Sequence, residues 1–135
     1  MQSQVSPVIG GSVHEFHWNW QKQPLTAIYE VLGTGRPLLL LPAMSSVSTR
    51  GELRHLAERL AERFQVVAVD WIGFGQSARP ALTYEPALYH AFLKDFVRSL
   101  FHEPVVVIAA GHAAGYVMQL AQRSPTVWSW IVLVA

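Results

Sequence analysis

The chain has 135 residues, of which 51% are hydrophobic and 14% charged, with a formal net charge of +1 and no cysteine. The length allows one domain with a core and no second. The near-neutral charge gives no electrostatic footprint for nucleic acid or an anionic membrane surface, and the missing cysteines exclude disulfides and Cys-ligated metal centres.

Charged residues fall well below the roughly 25% of an ordinary soluble domain, which leaves two readings: a membrane protein, or part of a larger soluble domain. A membrane helix needs about 18 consecutive apolar residues, and the runs Pro37 to Met44 and Pro104 to Ala110 are far shorter. No basic segment followed by an apolar run opens the chain at Met1 to Pro7, so no secretory signal is expected. A cytoplasmic location is the default expectation.

In chain order, Ser12 to Trp20 and Leu25 to Leu32 alternate loosely with period two. They predict two antiparallel edge strands joined around Gln21 to Pro24. After the turn residues Gly33-Thr-Gly35, the continuous run Pro37 to Leu41 predicts a strand buried on both faces. Ser48 or Thr49 then caps a helix, with Glu52 placed three residues after Thr49 as in a capping box. Leu53, Leu56, Ala57, Leu60 and Phe64 form its buried stripe, and Arg54, Glu58, Arg59, Glu62 and Arg63 its solvated face.

Gln65 to Asp70 is the next predicted strand, followed by an irregular Gly-rich loop from Trp71 to Pro80. A second amphipathic helix starts near Tyr84 to Ala87, with Pro86 suited to its first turn, and runs to about Phe101. Pro104 to Ala110 predicts a buried strand, Ala113 to Gln122 a helix stopped by Ser124-Pro125, and Trp130 to Ala135 a last buried strand. The expected fold class is α/β: a mostly parallel sheet with helices on both faces, preceded by an antiparallel N-terminal hairpin. A buried strand as the final element leaves an unpaired apolar edge, so self-association through Ile131 to Ala135 is expected of the chain alone.

Between the strand ending at Ala110 and the following helix lies Gly111-His-Ala-Ala-Gly115. A small residue, any residue, a nucleophile, any residue and glycine at a strand-to-helix turn is the pattern of a nucleophile elbow. Here the middle position, Ala113, carries a methyl group.

Three segments together resemble the α/β-hydrolase fold family, in the branch with esterases, epoxide hydrolases, dehalogenases and carbon–carbon bond hydrolases. They are the Leu38 to Leu41 strand with its loop, Asp70-Trp-Ile-Gly73-Phe-Gly75-Gln-Ser77 with Arg79-Pro80, and the Gly111 to Gly115 elbow. The resemblance implies that residues 1–135 are the N-terminal part of a single hydrolase domain, with an acid and a histidine beyond Ala135. It implies a nucleophile at Ala113, and oxyanion-hole N–H groups at Ala114 and, from the loop after Leu41, at Met44. Relatives commonly open that loop with His-Gly, where this chain has Pro42-Ala43, and proline removes a donor. Gly111 and Gly115 are expected to permit close strand-to-helix packing.

Removing the serine from a Ser-His-Asp hydrolase costs on the order of 10⁶ in kcat. Two functional readings therefore stand side by side. One is a hydrolase-family protein, by resemblance acting on an ester or similar small apolar substrate, that is inactive or nearly so with Ala113. The other is a non-catalytic binding or scaffold protein of the same fold. Deliberate replacement of a serine by alanine remains a third account of Ala113.

Other residues carry plainer readings. Gly73-Phe-Gly75-Gln-Ser-Ala78 matches a loose dinucleotide fingerprint, but no helix opens directly after it, so it reads as a structural turn and no cofactor is expected. His112 reads as a packing residue. The remaining histidines lack metal-ligand spacing, so no metal is expected. Ser45, Ser46 and Ser48 read as helix-capping loop residues, Asp70 as an acceptor for backbone N–H groups of the following turn, and the five tryptophans as core and edge packing.

Overall fold

A computed structural model describes residues 8–134 of the chain. Six strands form one sheet: β1 (Ser12–Trp20), β2 (Gln23–Leu32), β3 (Arg36–Leu41), β4 (Phe64–Val69), β5 (Val105–Ala110) and β6 (Trp128–Val134). Their spatial order is β1-β2-β4-β3-β5-β6. β1 and β2 pair antiparallel, as do β2 and β4, whereas β4, β3, β5 and β6 run parallel to one another. The expected α/β class with an N-terminal hairpin is what the chain adopts. Ala135, at the end of the predicted last strand, and Met1 to Pro7, where no secretory signal is expected, lie outside the described residues.

The alternation of side chains along each strand divides the core in two. Leu38 and Leu40 of β3 and Val66 and Ala68 of β4 point to one face, where Ala57 of helix α1 (Arg54–Leu60) covers them. Leu39 and Leu41 of β3, Val67 and Val69 of β4, and Val107 and Ala109 of β5 point to the other. There they meet helix α2 (Pro86–Leu100) and helix α3 (Ala113–Arg123). Pro86 occupies the first turn of α2, where its missing N–H costs nothing. Leu88, Phe92 and Phe96 of α2 recur at helical spacing and are fully buried.

Several boundaries differ from the sequence reading for local reasons. The hairpin turn is only Gln21-Lys22, both left-handed at φ 49° and 68°, as a two-residue type I′ turn requires; Gln23 and Pro24 belong to β2. Phe64 is not the end of the helical stripe but the first residue of β4. The first turn before α1 is a 3-10 helix, Arg50–Leu53. The last strand begins two residues earlier than expected, at Trp128, and only that residue is buried: Trp130, Val132, Leu133 and Val134 are exposed. Among the described residues only β5 pairs with it, and helix α1 lies over β3 and β4 rather than over β6.

Candidate functional site

The elbow forms because β5 must reverse its direction within three residues to start α3. Gly111 makes the turn in the left-handed region, at φ 53°, which a residue with Cβ enters at a cost of roughly 1–2 kcal/mol. Its N–H donates to the Val134 carbonyl at 3.1 Å, tying the turn to β6. A Cβ on Gly111 would lie 3.1 Å from Ala43 Cβ, so the loop after β3 rests against the elbow. The structure thus brings together the Pro42–Met44 segment and Gly111–Ala114, which the sequence placed far apart.

Within the elbow the individual positions differ. Ala113, the first residue of α3, is 0% exposed and packs into the same apolar cluster as Trp71, Tyr89 and Val117. Met44, Phe74 and Tyr116 cover that cluster partway. The Ala114 N–H donates to the Gly111 carbonyl at 3.1 Å, and the Gly115 N–H to the His112 carbonyl at 3.2 Å. His112 is exposed at the crest of the turn, with helical backbone angles, and so is not a packing residue. Among the described residues outside its own turn of helix, none comes within 4 Å of the position a Cβ on Gly115 would take; close packing demands glycine at 111 and not at 115.

The loop between β3 and α1 is pinned at both ends. The Pro42 carbonyl accepts the Trp71 indole N–H at 3.0 Å, and the Glu52 carboxylate accepts the Ala43 N–H. Thr49 caps the 3-10 helix by accepting the Gly51 N–H at 3.2 Å. The capping box is therefore half formed: Glu52 reaches across to Ala43 instead of back to Thr49. Ser45 and Ser48 close the loop on each other, with hydroxyls 2.7 Å apart and the Ser48 N–H donating to the Ser45 carbonyl at 3.0 Å.

Next to this loop sits a buried ionic corner that periodicity did not reveal. Arg50 is 0% exposed. Its Nε donates to Glu30 Oε1 at 2.7 Å, Nη1 to Asp70 Oδ2, and Nη2 to Gln76 Oε1 at 2.9 Å. Asp70 Oδ1 also accepts the Arg50 backbone N–H at 2.7 Å, and Oδ2 the Gln76 N–H at 2.9 Å. The turn-acceptor role read for Asp70 is present, together with an ion pair. Glu30 completes the corner by accepting the N–H groups of Ile9 at 3.0 Å and Gly11. Burial pushes the Glu30 carboxyl up, but those two N–H groups and the Arg50 guanidinium outweigh it and hold its pKa below the ordinary carboxylate value. A charged residue within an otherwise inward-facing stretch of β2 was the one sequence signal for this corner.

The Gly-rich loop serves the same corner. At Gly75, φ is 51° and an added Cβ would collide with the Asp70 carboxylate. Ser77 donates to the Asp70 carbonyl at 2.6 Å and accepts the Ile28 N–H at 2.8 Å. The segment doubles back onto β2 and reaches helix α2 only at Pro86, so its glycines make a turn and form no helix-terminal phosphate cradle. On α3, Tyr116 carries the His90 ring at 4.6 Å; burial lowers the His90 pKa and raises that of Tyr116. A cavity of 820 Å³ lies well away from the elbow, on the α1 side of the sheet between β3, β5 and β6. No helix of the described residues is long and apolar enough to cross a membrane.

Residues 38–135 match the model of a family described as the alpha/beta hydrolase family. Among curated proteins, an uncharacterized protein of Mycobacterium bovis is 31% identical over 107 residues, covering 79% of this chain and 31% of its own length. A 2-hydroxy-6-oxo-6-(2'-aminophenyl)hexa-2,4-dienoic acid hydrolase of Metapseudomonas resinovorans is 27% identical over 88 residues, covering 64% of this chain and 30% of its own. Among solved structures, a probable hydrolytic enzyme of Pseudomonas aeruginosa superposes with a TM-score of 0.77 at 24% identity, over 92% of this chain and 41% of that one. A serine hydrolase involved in carbazole degradation superposes with a TM-score of 0.77 at 21% identity, over 90% and 47%. The chain thus spans about a third of the length of the curated relatives it matches.

Proposed function

The chain belongs to the alpha/beta hydrolase family, and from that premise we propose that it is the N-terminal part of one such domain, built around a nucleophile elbow that carries no nucleophile. The observation that supports this is the side chain at the head of α3: Ala113 is a fully buried methyl where acyl-transfer chemistry in this geometry needs a hydroxyl, thiol or carboxylate. An oxyanion hole and binding alone leave about 10³–10⁴ over the uncatalysed rate, which is far below a working hydrolase. In this reading Ala114 and Met44 hold the oxyanion-donor positions, and the Ala114 N–H would have to leave the Gly111 carbonyl to which it is bonded at 3.1 Å. The half-buried surface of Met44, Phe74 and Tyr116 takes a small apolar ester or a ligand of similar size.

The departures at Pro42-Ala43 and Ala113 occur in segments that touch each other through Gly111. Two changes in one place support the second reading, a binding or scaffold protein that has kept the pocket walls and given up turnover. The test is hydrolysis of p-nitrophenyl butyrate by the chain and by its Ala113→Ser variant. We expect neither to show saturable turnover, because a serine without a base is a weak nucleophile at neutral pH. Saturable, stoichiometrically titratable hydrolysis by the unaltered chain would overturn the proposal.

A further inference from the structure

The chain is fastened down just before β1 begins. Ile9 is 1% exposed and belongs to the apolar cluster under α1. Its N–H donates to Glu30 Oε1 at 3.0 Å, and the Gly11 N–H donates to Oε2 of the same carboxylate. Gly10 between them is left-handed at φ 89°, a conformation open to glycine, which turns both N–H groups toward one side chain. Upstream, the Val8 carbonyl accepts Arg54 Nη1 at 3.4 Å. There is no slack at Gly11: a Cβ there would collide with the Val31 carbonyl and come within 3.1 Å of Leu32 Cβ.

The carboxylate that holds this segment also holds the loops beside the elbow. Glu30 Oε1, which accepts the Ile9 N–H, accepts Arg50 Nε at 2.7 Å as well. Arg50 in turn grips Asp70 and Gln76, and on it the loop from β3 enters the 3-10 helix. From this shared pair we infer that residues 8–11 are a strap that controls the order of two loops. While Ile9 is seated, the Arg50 end of the β3–α1 loop and the turn after Asp70 are locked; when it lifts, both loosen together.

The reason is dielectric. The side chains of Arg50 and Glu30 are 0% and 1% exposed, and with water shut out their attraction is several-fold stronger than in solvent. A lifted strap takes two donors from Glu30 and admits water to it, so the hold on Arg50 Nε falls toward that of an ordinary surface pair. The strap works from the α1 side of the sheet, whereas Ala113 packs on the other. It would act alike on a catalytic and on a ligand-binding elbow, so the inference is independent of the reading of Ala113.

The test is amide hydrogen exchange over the whole chain, which reads local opening. Gly11→Ala evicts the strap sterically while leaving every charge and the Ile9 side chain in place. It should speed exchange at the Ile9 amide and, by about tenfold, at the Arg50 and Gln76 amides, both bonded to Asp70. Val107 and Ala109, inside the sheet on β5, should exchange as before. Ile9→Ala, which weakens the seat without a clash, should give the same pattern to a smaller degree. Coupling between two sites is reciprocal, so Arg50→Lys, which keeps the charge and loses the planar fork, should speed the Ile9 and Gly11 amides. Faster exchange at Ile9 with Arg50 and Gln76 unchanged, acceleration in both strap variants that extends equally to Val107, or strap amides unmoved by Arg50→Lys would each overturn the inference. So would a Gly11→Ala variant whose Ile9 amide stays protected.

Discussion

The ionic corner at Arg50 and the elbow at Ala113 stand at the same end of the sheet, one after β4 and the other after β5, yet they handle polarity in opposite ways. The corner buries an arginine and two carboxylates, and each has hydrogen-bonded partners. The elbow, where a family member would carry its reactive group, buries a methyl. The difference separates architecture from chemistry. The corner ties together four stretches of chain, those around Ile9, Glu30, Arg50 and Asp70 to Gln76, and its value lies in that tie. The elbow keeps its shape through Gly111 and apolar packing, and nothing in its fold requires a hydroxyl.

The largest way to break the contrast is to remove the cation. Arg50→Met would leave Glu30 and Asp70 buried without their counter-charge, and removing one partner of a buried pair destabilises by about 3–5 kcal/mol. The expected outcome is a matching loss in the urea-unfolding midpoint. A loss below about 1 kcal/mol would mean that the corner opens to water and is not the tie described above.

The uneven legibility of these two regions follows from the range of the interactions that make them. The elbow was readable because its determinants are local: a β-branched run, glycine at 111, and a helical stripe through Val117 and Leu120. Strands β3 to β5 were readable for the same reason. Arg50 was not, because nothing in its neighbours distinguishes it from the solvated Arg54 and Arg59. Its burial arises only when Glu30, 20 residues earlier, and Asp70, 20 residues later, fold over it. The half-formed capping box shows a similar limit: the Thr49 to Glu52 spacing was right, but tertiary structure offered Glu52 the Ala43 N–H. The exposure of β6 escaped periodicity because an apolar strand reads the same whether or not a neighbour covers it.

A smaller effect should come from acid. The Glu30 carboxyl titrates in the folded chain below its ordinary value of 4.5. As the pH falls below about 4.5 the unfolded chain takes up this proton before the folded chain does, so stability drops through that window until the folded carboxyl is also protonated. Above it, the contribution is fully present. Acid titration of the unfolding free energy should therefore show a slope in this range that Glu30→Gln lacks, with the variant less stable at neutral pH. An identical slope in both proteins would place the acid-sensitive group elsewhere.

The smallest expected change tests how the loop beside the elbow is held. Glu52 is exposed, so its hydrogen bond to the Ala43 N–H competes with water and contributes at most about 1 kcal/mol. Glu52→Ala should barely move the unfolding midpoint. It should nevertheless speed hydrogen exchange at the Ala43 amide, while the Gly51 amide, bonded to Thr49, exchanges as before. Glu52→Gln keeps an acceptor at the same reach and should restore most of the protection. If instead both variants exchange at the unaltered rate, this end of the loop is held by its other contacts, the Trp71 indole N–H on the Pro42 carbonyl and the approach of Ala43 to Gly111. The loop would then owe its position to the buried Trp71 and the elbow and not to the Glu52 carboxylate.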